Sequence, residues 1–235
     1  MFKKWSFAAF FSLFLAISLL FSTLSFAFLK DSKDLPTNAV AREECVIVID
    51  AGHGGIDGGA TGATGVTEKD LNLAVASKLA AFFRMAGYTV VQTRTTDVSL
   101  ADADAKKGHI KQSDLTNRLK ILNQYPKSIL ISIHMNTYPG VACSGLQVWY
   151  SQNNDLSAEL ANAVQGGVKS ILQPQNNRKI KAATSSIYLL RHAENPAILI
   201  ECGFISNLEE CERLATPSYQ KELAFAIFAS LYKKI

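Results

Sequence analysis

Two histidines and two glutamates occupy corresponding places along this chain. His53 follows the apolar run VIVIDA, His134 follows ILISI, Glu201 follows AILI, and Glu68 opens an amphipathic helical stretch. Residues that leave the carboxyl ends of buried strands gather on one edge of an open α/β sheet, the edge where ligands bind. Two histidines and one carboxylate are a common catalytic zinc set with a fourth position left for water, and a further carboxylate can then act as general base. Taken singly, each residue has an ordinary use. A histidine after a strand is commonly a satisfied polar group, and Glu68 suits the positive end of a helix dipole. Glu201 resists that treatment, because a carboxylate directly after AILI is expected to be partly buried, and burial without a partner is costly. Convergence of all four on one edge is what points to a site.

The loop that carries His53, AGHGGIDGGATG, invites comparison with phosphate cradles. A dinucleotide fingerprint begun at Gly52 and Gly54 requires glycine where Asp57 stands, and a P-loop requires GK followed by Ser or Thr, a tripeptide absent from the chain. The glycines at 52, 54, 55, 58 and 59 are read instead as freeing φ and clearing space, so that His53 can turn to its partners and a bulky ligand can approach. Asp50, three residues earlier, is expected either to accept an imidazole N–H or to serve as a strand-end turn residue.

The elements that must position these residues follow from the apolar periodicity. CVIVID reads as a buried strand. Residues 66–87 read as a helix, since Leu71, Val75, Leu79, Phe82 and Ala86 recur at three and four, Thr67 with Asp70 suggests a capping box, and Gly87 stops it. YTVVQTR is the next strand, residues 101–112 a polar loop with a solvated His109, and Ser113 to Tyr125 a helix capped by Ser113 or Asp114. SILISIH is a buried strand, GLQVWYS a strand with one open face, and residues 155–172 a third helix. Residues 174–186 are polar loop, IYLL and PAILIE read as strands, and the tail from Pro217 is a helix. Strands alternating with helices predict an α/β fold: one layered domain, a largely parallel central sheet flanked by helices, and the active site at the carboxyl ends of the strands.

Residues 45–235 are the expected catalytic domain. Ahead of it, MFKK leads into 25 uncharged, mostly apolar residues from Trp5 to Leu29. Residues 1–29 are therefore a signal peptide or a membrane anchor, with a small-x-small site at Ser25 to Ala27, and 30–44 a polar stem. The protein is expected to be exported, and to stay on the membrane if this segment is retained. The 24 basic and 20 acidic residues fall to 22 and 20 once Lys3 and Lys4 are removed with the leader, so no nucleic-acid footprint remains. Cys45, Cys143, Cys202 and Cys211 form no CxxC pair and are read as free, buried small residues.

The four quoted segments IDAGHGGIDGGATG, EKDLNL, SIHMN and ILIECGFISN, in this order, resemble the zinc-dependent N-acetylmuramoyl-L-alanine amidases of the third amidase family, over about Cys45 to Ile235. The resemblance implies that His53, Glu68 and His134 bind Zn2+ and that Glu201 is the catalytic glutamate. It implies cleavage of the amide between muramic acid and L-alanine of the peptidoglycan stem peptide. The short chain, the N-terminal apolar segment and ECGF are most similar to members that act in sporulation, on spore cortex that acquires muramic lactam. Asn136 is then expected to contact substrate and Arg191 to meet a stem-peptide carboxylate, while His192 is an ordinary loop histidine. Some relatives carry a helical plug after the second histidine motif. Ten residues between His134 and GLQVWYS leave no room for one, so restraint falls to zinc occupancy or a regulatory partner protein.

Three other readings compete: a vegetative wall amidase, a non-catalytic peptidoglycan-binding protein on the same fold, and a cysteine hydrolase using Cys202 with His134. Against the last, Cys202 neighbours Glu201 in a strand, so their side chains point to opposite faces.

Overall fold

The structure is a computed structural model and describes residues 45–139 and 143–235. The leader and stem lie outside the described residues. Among the latter, no helix is long and apolar enough to cross a membrane.

Strand β1 (Val46–Ala51) leads through the glycine loop into helix α1 (Glu68–Met85) and strand β2 (Thr89–Gln92). Helix α2 (Ile110–Asn123), strand β3 (Ser128–Asn136) and strand β4 (Gln147–Tyr150) follow. Helix α3 (Leu156–Ile171), a two-residue strand β5 (Lys181–Ala182) and helix α4 (Tyr188–His192) come next. Strand β6 (Ala197–Phe204), helix α5 (Leu208–Leu214) and helix α6 (Pro217–Tyr232) complete the order. One six-stranded sheet results, in the order β2-β1-β3-β6-β4-β5. Strands β1, β2, β3 and β6 run parallel, β4 is antiparallel to β6, and β5 follows the direction of β4. The predicted α/β class and largely parallel sheet are thus present.

Alternation along each strand divides the core in two. Ile47, Ile49, Ile131, Ile133, Ile198 and Ile200 face the thicker layer, against Leu71, Val75, Leu79 and Phe83 of α1, Val164 of α3, and Leu223 and Ile227 of α6. Full burial of each such side chain stabilises the fold by roughly 1.5–3 kcal/mol. Val48, Leu130 and Leu199 face a thinner layer built by Leu122 of α2 and Leu189 and Leu190 of α4. Asp50, Ser132, His134 and Glu201 continue this second face toward the carboxyl ends, so the polar site begins where the thin core stops.

Several local expectations are corrected. IYLL is part of a helical turn and not a strand: Arg191 N–H donates to Ile187 O, and the turn sends both Leu189 and Leu190 into the same core layer, whereas a strand would point them apart. Helix α2 starts at Ile110, three residues before the expected Ser113. Ser113 and Asp114 bind the preceding loop instead of capping, Ser113 through the N–H of Asp102 and Asp114 through that of Leu100. The Thr67 hydroxyl donates to the Asp70 carboxylate and caps no backbone amide. Helix α5, capped by the Asn207 side chain on Glu210 N–H, and β5 were not anticipated. All four cysteines are free; Cys202 and Cys211 are buried, while Cys45 and Cys143 are half-buried.

Candidate metal centre

Helix α1 begins with Glu68, and β1 and β3 deliver His53 and His134 to the same spot. Glu68 Oε1 lies 3.1 Å from His134 Nδ1 and 3.3 Å from His53 Nε2. The three ligand atoms all fall within 4.8 Å of one another. A tetrahedral zinc with bonds of ~2.0–2.2 Å separates its ligand atoms by ~3.3–3.6 Å, so the cluster is close to the spacing such an ion requires. Two of the remaining atoms are committed elsewhere. His53 Nδ1 pairs with Asp57 Oδ2 at 2.9 Å, which fixes the tautomer that leaves Nε2 free for a metal. Glu68 Oε2 accepts from Ala60 N–H, and Oε1 also accepts from Met135 N–H. Burial alone would raise the Glu68 carboxyl; hydrogen bonds and charge from His134 and His53 overcome it and hold the group well below the ordinary carboxylate range.

Backbone geometry makes this convergence fit. Among the described residues His53 is the only non-glycine with positive φ, at 62°. Gly54, Gly55 and Gly59 share positive φ, as expected of the loop, but Gly52 and Gly58 do not. Gly52 is required for space: a Cβ there would lie 2.2 Å from His134 Nε2. Two buried arginines hold the segment before the loop. Arg94 donates to the carbonyls of Ala51, Gly52 and Lys69. Arg118 donates to the carbonyls of Ala51 and His53 and to the carboxylates of Asp50 and Asp114. Asp50 therefore neither bonds an imidazole nor makes a turn. Burial would raise its carboxyl, but Arg118 with Ser132 and Thr93 holds it at about 2.

Glu201 stands beside His134 as its register partner, and its Oε2 is buried with no hydrogen-bond partner. Burial pushes its carboxyl up to about 7, with the Glu68 charge adding to the rise and the histidines opposing it. His53, His134, Glu201 and Asp57 line a cavity of about 220 Å3, with Lys111 and Tyr188 on its walls. Cys202 points into the opposite core layer, fully buried, its thiol pushed up by burial, so it shares no face with His134.

The remaining sequence candidates are not among the residues lining this cavity. Asn136 ends β3, and its backbone carbonyl accepts from Ile205 N–H. Arg191 is exposed and borders a separate hollow with Gln152 and Thr184. His192 closes α4 and packs its ring on Tyr188, and His109 immediately precedes α2. Sequence reasoning missed Asp57, Arg94, Arg118 and Lys111. Asp57 carried a signal: it stood in the glycine loop four residues from His53, within reach of the ring.

Residues 47–233 match the family described as N-acetylmuramoyl-L-alanine amidase. The chain is 35% identical over 190 residues to the germination-specific N-acetylmuramoyl-L-alanine amidase of Bacillus subtilis, covering 80% of this chain and 78% of the relative. It is similar in structure to the CwlD amidase from Clostridioides difficile, solved in complex with the GerS lipoprotein, at TM-score 0.77 and 36% identity over 80% of this chain and 96% of that one. It is similar also to the amidase AmiC2 of Nostoc punctiforme, at TM-score 0.70 and 30% identity over 81% and 97% of the two chains. The family match spans nearly the whole described domain and includes all four residues of the site, and the chain therefore belongs to the N-acetylmuramoyl-L-alanine amidases.

Proposed function

We propose that this amidase works with zinc held by His53, Glu68 and His134, and that Glu201 is its general base, cleaving the amide between muramic acid and L-alanine of the stem peptide. The observation that carries the reading is the buried, unpartnered Oε2 of Glu201 beside the His53–Glu68–His134 cluster. Zinc, when bound, lowers the pKa of water to ~7 and polarises the amide carbonyl. Glu201 takes the proton of the attacking water and returns it to the leaving nitrogen. Cationic charge in the adjoining site favours the ionised, basic form of Glu201. Asp57 orients the His53 ring, and the cavity walls confine the scissile group. Glu201→Gln should keep bound zinc, measured by metal analysis, and release no peptide from muramic acid. Turnover surviving in that variant rejects Glu201 as base, and muropeptide binding without hydrolysis by the zinc-loaded parent points to a non-catalytic protein.

We further infer an extracytoplasmic role in spore cortex maturation, supported by the similarity to the germination-specific amidase of B. subtilis. The lipoprotein in the CwlD complex supports a regulatory partner for this chain as well. Spores lacking the protein should lack muramic lactam by mass spectrometry of their muropeptides; normal lactam with altered vegetative wall would assign it to growth instead.

A further inference from the structure

A second hollow, about 370 Å3, contains none of the metal-site residues. It opens on the same rim of the sheet. Gly145 on its wall lies two residues before Gln147, the register partner of Glu201, and β4 runs antiparallel to β6, so Gly145 sits beyond the carboxyl end of the site. The Glu210 carboxylate accepts from both Gly145 N–H and Phe204 N–H and ties this wall to the end of β6. Across a bulge in β6, Phe204 is level with Asn136, two residues past the level of His134 and Glu201, a span of ~7 Å along the strand.

The lining carries Arg178 and Arg213 and no acidic residue. The Arg178 guanidinium carbon lies 4.3 Å from the centre of the Phe204 ring and its Nε donates to Ser144 O, while the Arg213 guanidinium carbon lies 5.1 Å from the centre of the Tyr219 ring. Among the described residues the Nη groups of Arg178 and the guanidinium of Arg213 make no hydrogen bond, and both charges are coupled to the nearby Glu210 carboxylate. Gln173 and Asn176, buried in the wall, are spent on Leu146 and on each other, and so set the hollow's shape without competing for a ligand. Glu210 beneath the wall is engaged by its two amides. The hollow is therefore lined by two guanidiniums beside aromatic rings with hydrogen-bond donors to spare, a match for planar carboxylates.

We propose that this hollow is a subsite for a carboxylate of the stem peptide, bound beyond the scissile amide along the carboxyl edge of the sheet. The inference rests on the amidase reading of the metal centre and adds a preference for substrates with free rather than amidated carboxylates.

The test compares muropeptides with free and with amidated stem carboxylates on the zinc-loaded parent, Arg213→Gln and Arg178→Lys, with thermal midpoints verifying that each variant folds. The parent should prefer the free acid in kcat/KM, and Arg213→Gln should cut that preference about tenfold, the scale of one charge-assisted hydrogen bond. Arg178→Lys, which keeps charge but loses the fork, should cut it less. Equal use of both substrates by the parent, or an unchanged preference in Arg213→Gln, overturns the proposal. Equilibrium binding of the two corresponding peptides gives the same ratio without turnover. Absence of peptide release from either substrate would reject the amidase reading alone, while loss of the binding ratio would reject the subsite.

Discussion

His134 and Glu201 are register partners on adjacent parallel strands, so a metal-ligand candidate and the proposed base rise from one face of the sheet at a spacing fixed by main-chain hydrogen bonds. Glu201 thereby stays buried whether or not a cation is near. Burial moves its carboxyl from the ordinary 4.5 to about 7. Between those values the folded, metal-free protein holds a proton that the unfolded chain has released. The contribution to stability is thus fully present below pH ~4.5 and lost as pH rises through about 7. Glu201→Gln removes this dependence. In chelator, the variant should gain up to about 3 kcal/mol on the parent at pH 8 compared with pH 4, read from urea unfolding; an identical difference at both pH values would contradict it.

Asp57 holds His53 through Nδ1. Asp57→Ala should weaken metal affinity by roughly 10- to 100-fold, the usual effect of losing an outer carboxylate on a ligating histidine. Competition with a fluorescent chelator measures it, and Asp57→Asn should recover part of the loss because its amide oxygen can still accept the ring N–H.

Gly52→Ala collides with the His134 ring, not with the backbone, since φ at Gly52 is not positive. The ring must swing away, so metal affinity should fall by about 100-fold or more with a thermal midpoint lowered by only a few degrees. Adding Gly52→Ala to a His134→Ala protein should then cost little further stability. A large added loss would show that the methyl meets something other than the ring.

Arg118→Met leaves Asp50 buried without its cation and should destabilise the protein by about 3–5 kcal/mol. Adding Asp50→Asn should recover part of that loss, because the stranded charge goes with it. In the parent, Asp50 is held at about 2, so its contribution is present above the ordinary 3.8 and lost as pH falls through 2. Unfolding curves of the two single variants and the double variant form the cycle that checks this.

Much of the fold was legible because long elements repeat one pattern. The three-and-four spacing of Leu71, Val75 and Leu79 marked α1, and the unbroken apolar runs before His53, His134 and Glu201 marked three adjacent parallel strands. IYLL was ambiguous, since four apolar residues carry no period and only the core layer that receives Leu189 and Leu190 decides between strand and helix. The two-residue β5 is defined by pairing with Trp149 and Tyr150, a tertiary relation with no local trace. The site shows the same division. Residue types at three strand ends pointed to His53, His134 and Glu201 and the start of a helix to Glu68, whereas Arg94 and Arg118 act on backbone carbonyls that only the folded chain brings to them.

The positive φ of His53 has a consequence for how the protein can be watched. A histidine held at 62° adopts that conformation because Arg118 grips its carbonyl and Asp57 its ring. Arg118 comes from α2, and Glu68 and His134 from α1 and β3, so the three candidate ligands meet only through the tertiary fold. Release of the proposed zinc during denaturation should accordingly track loss of the domain as a whole and not the fraying of one glycine-rich segment.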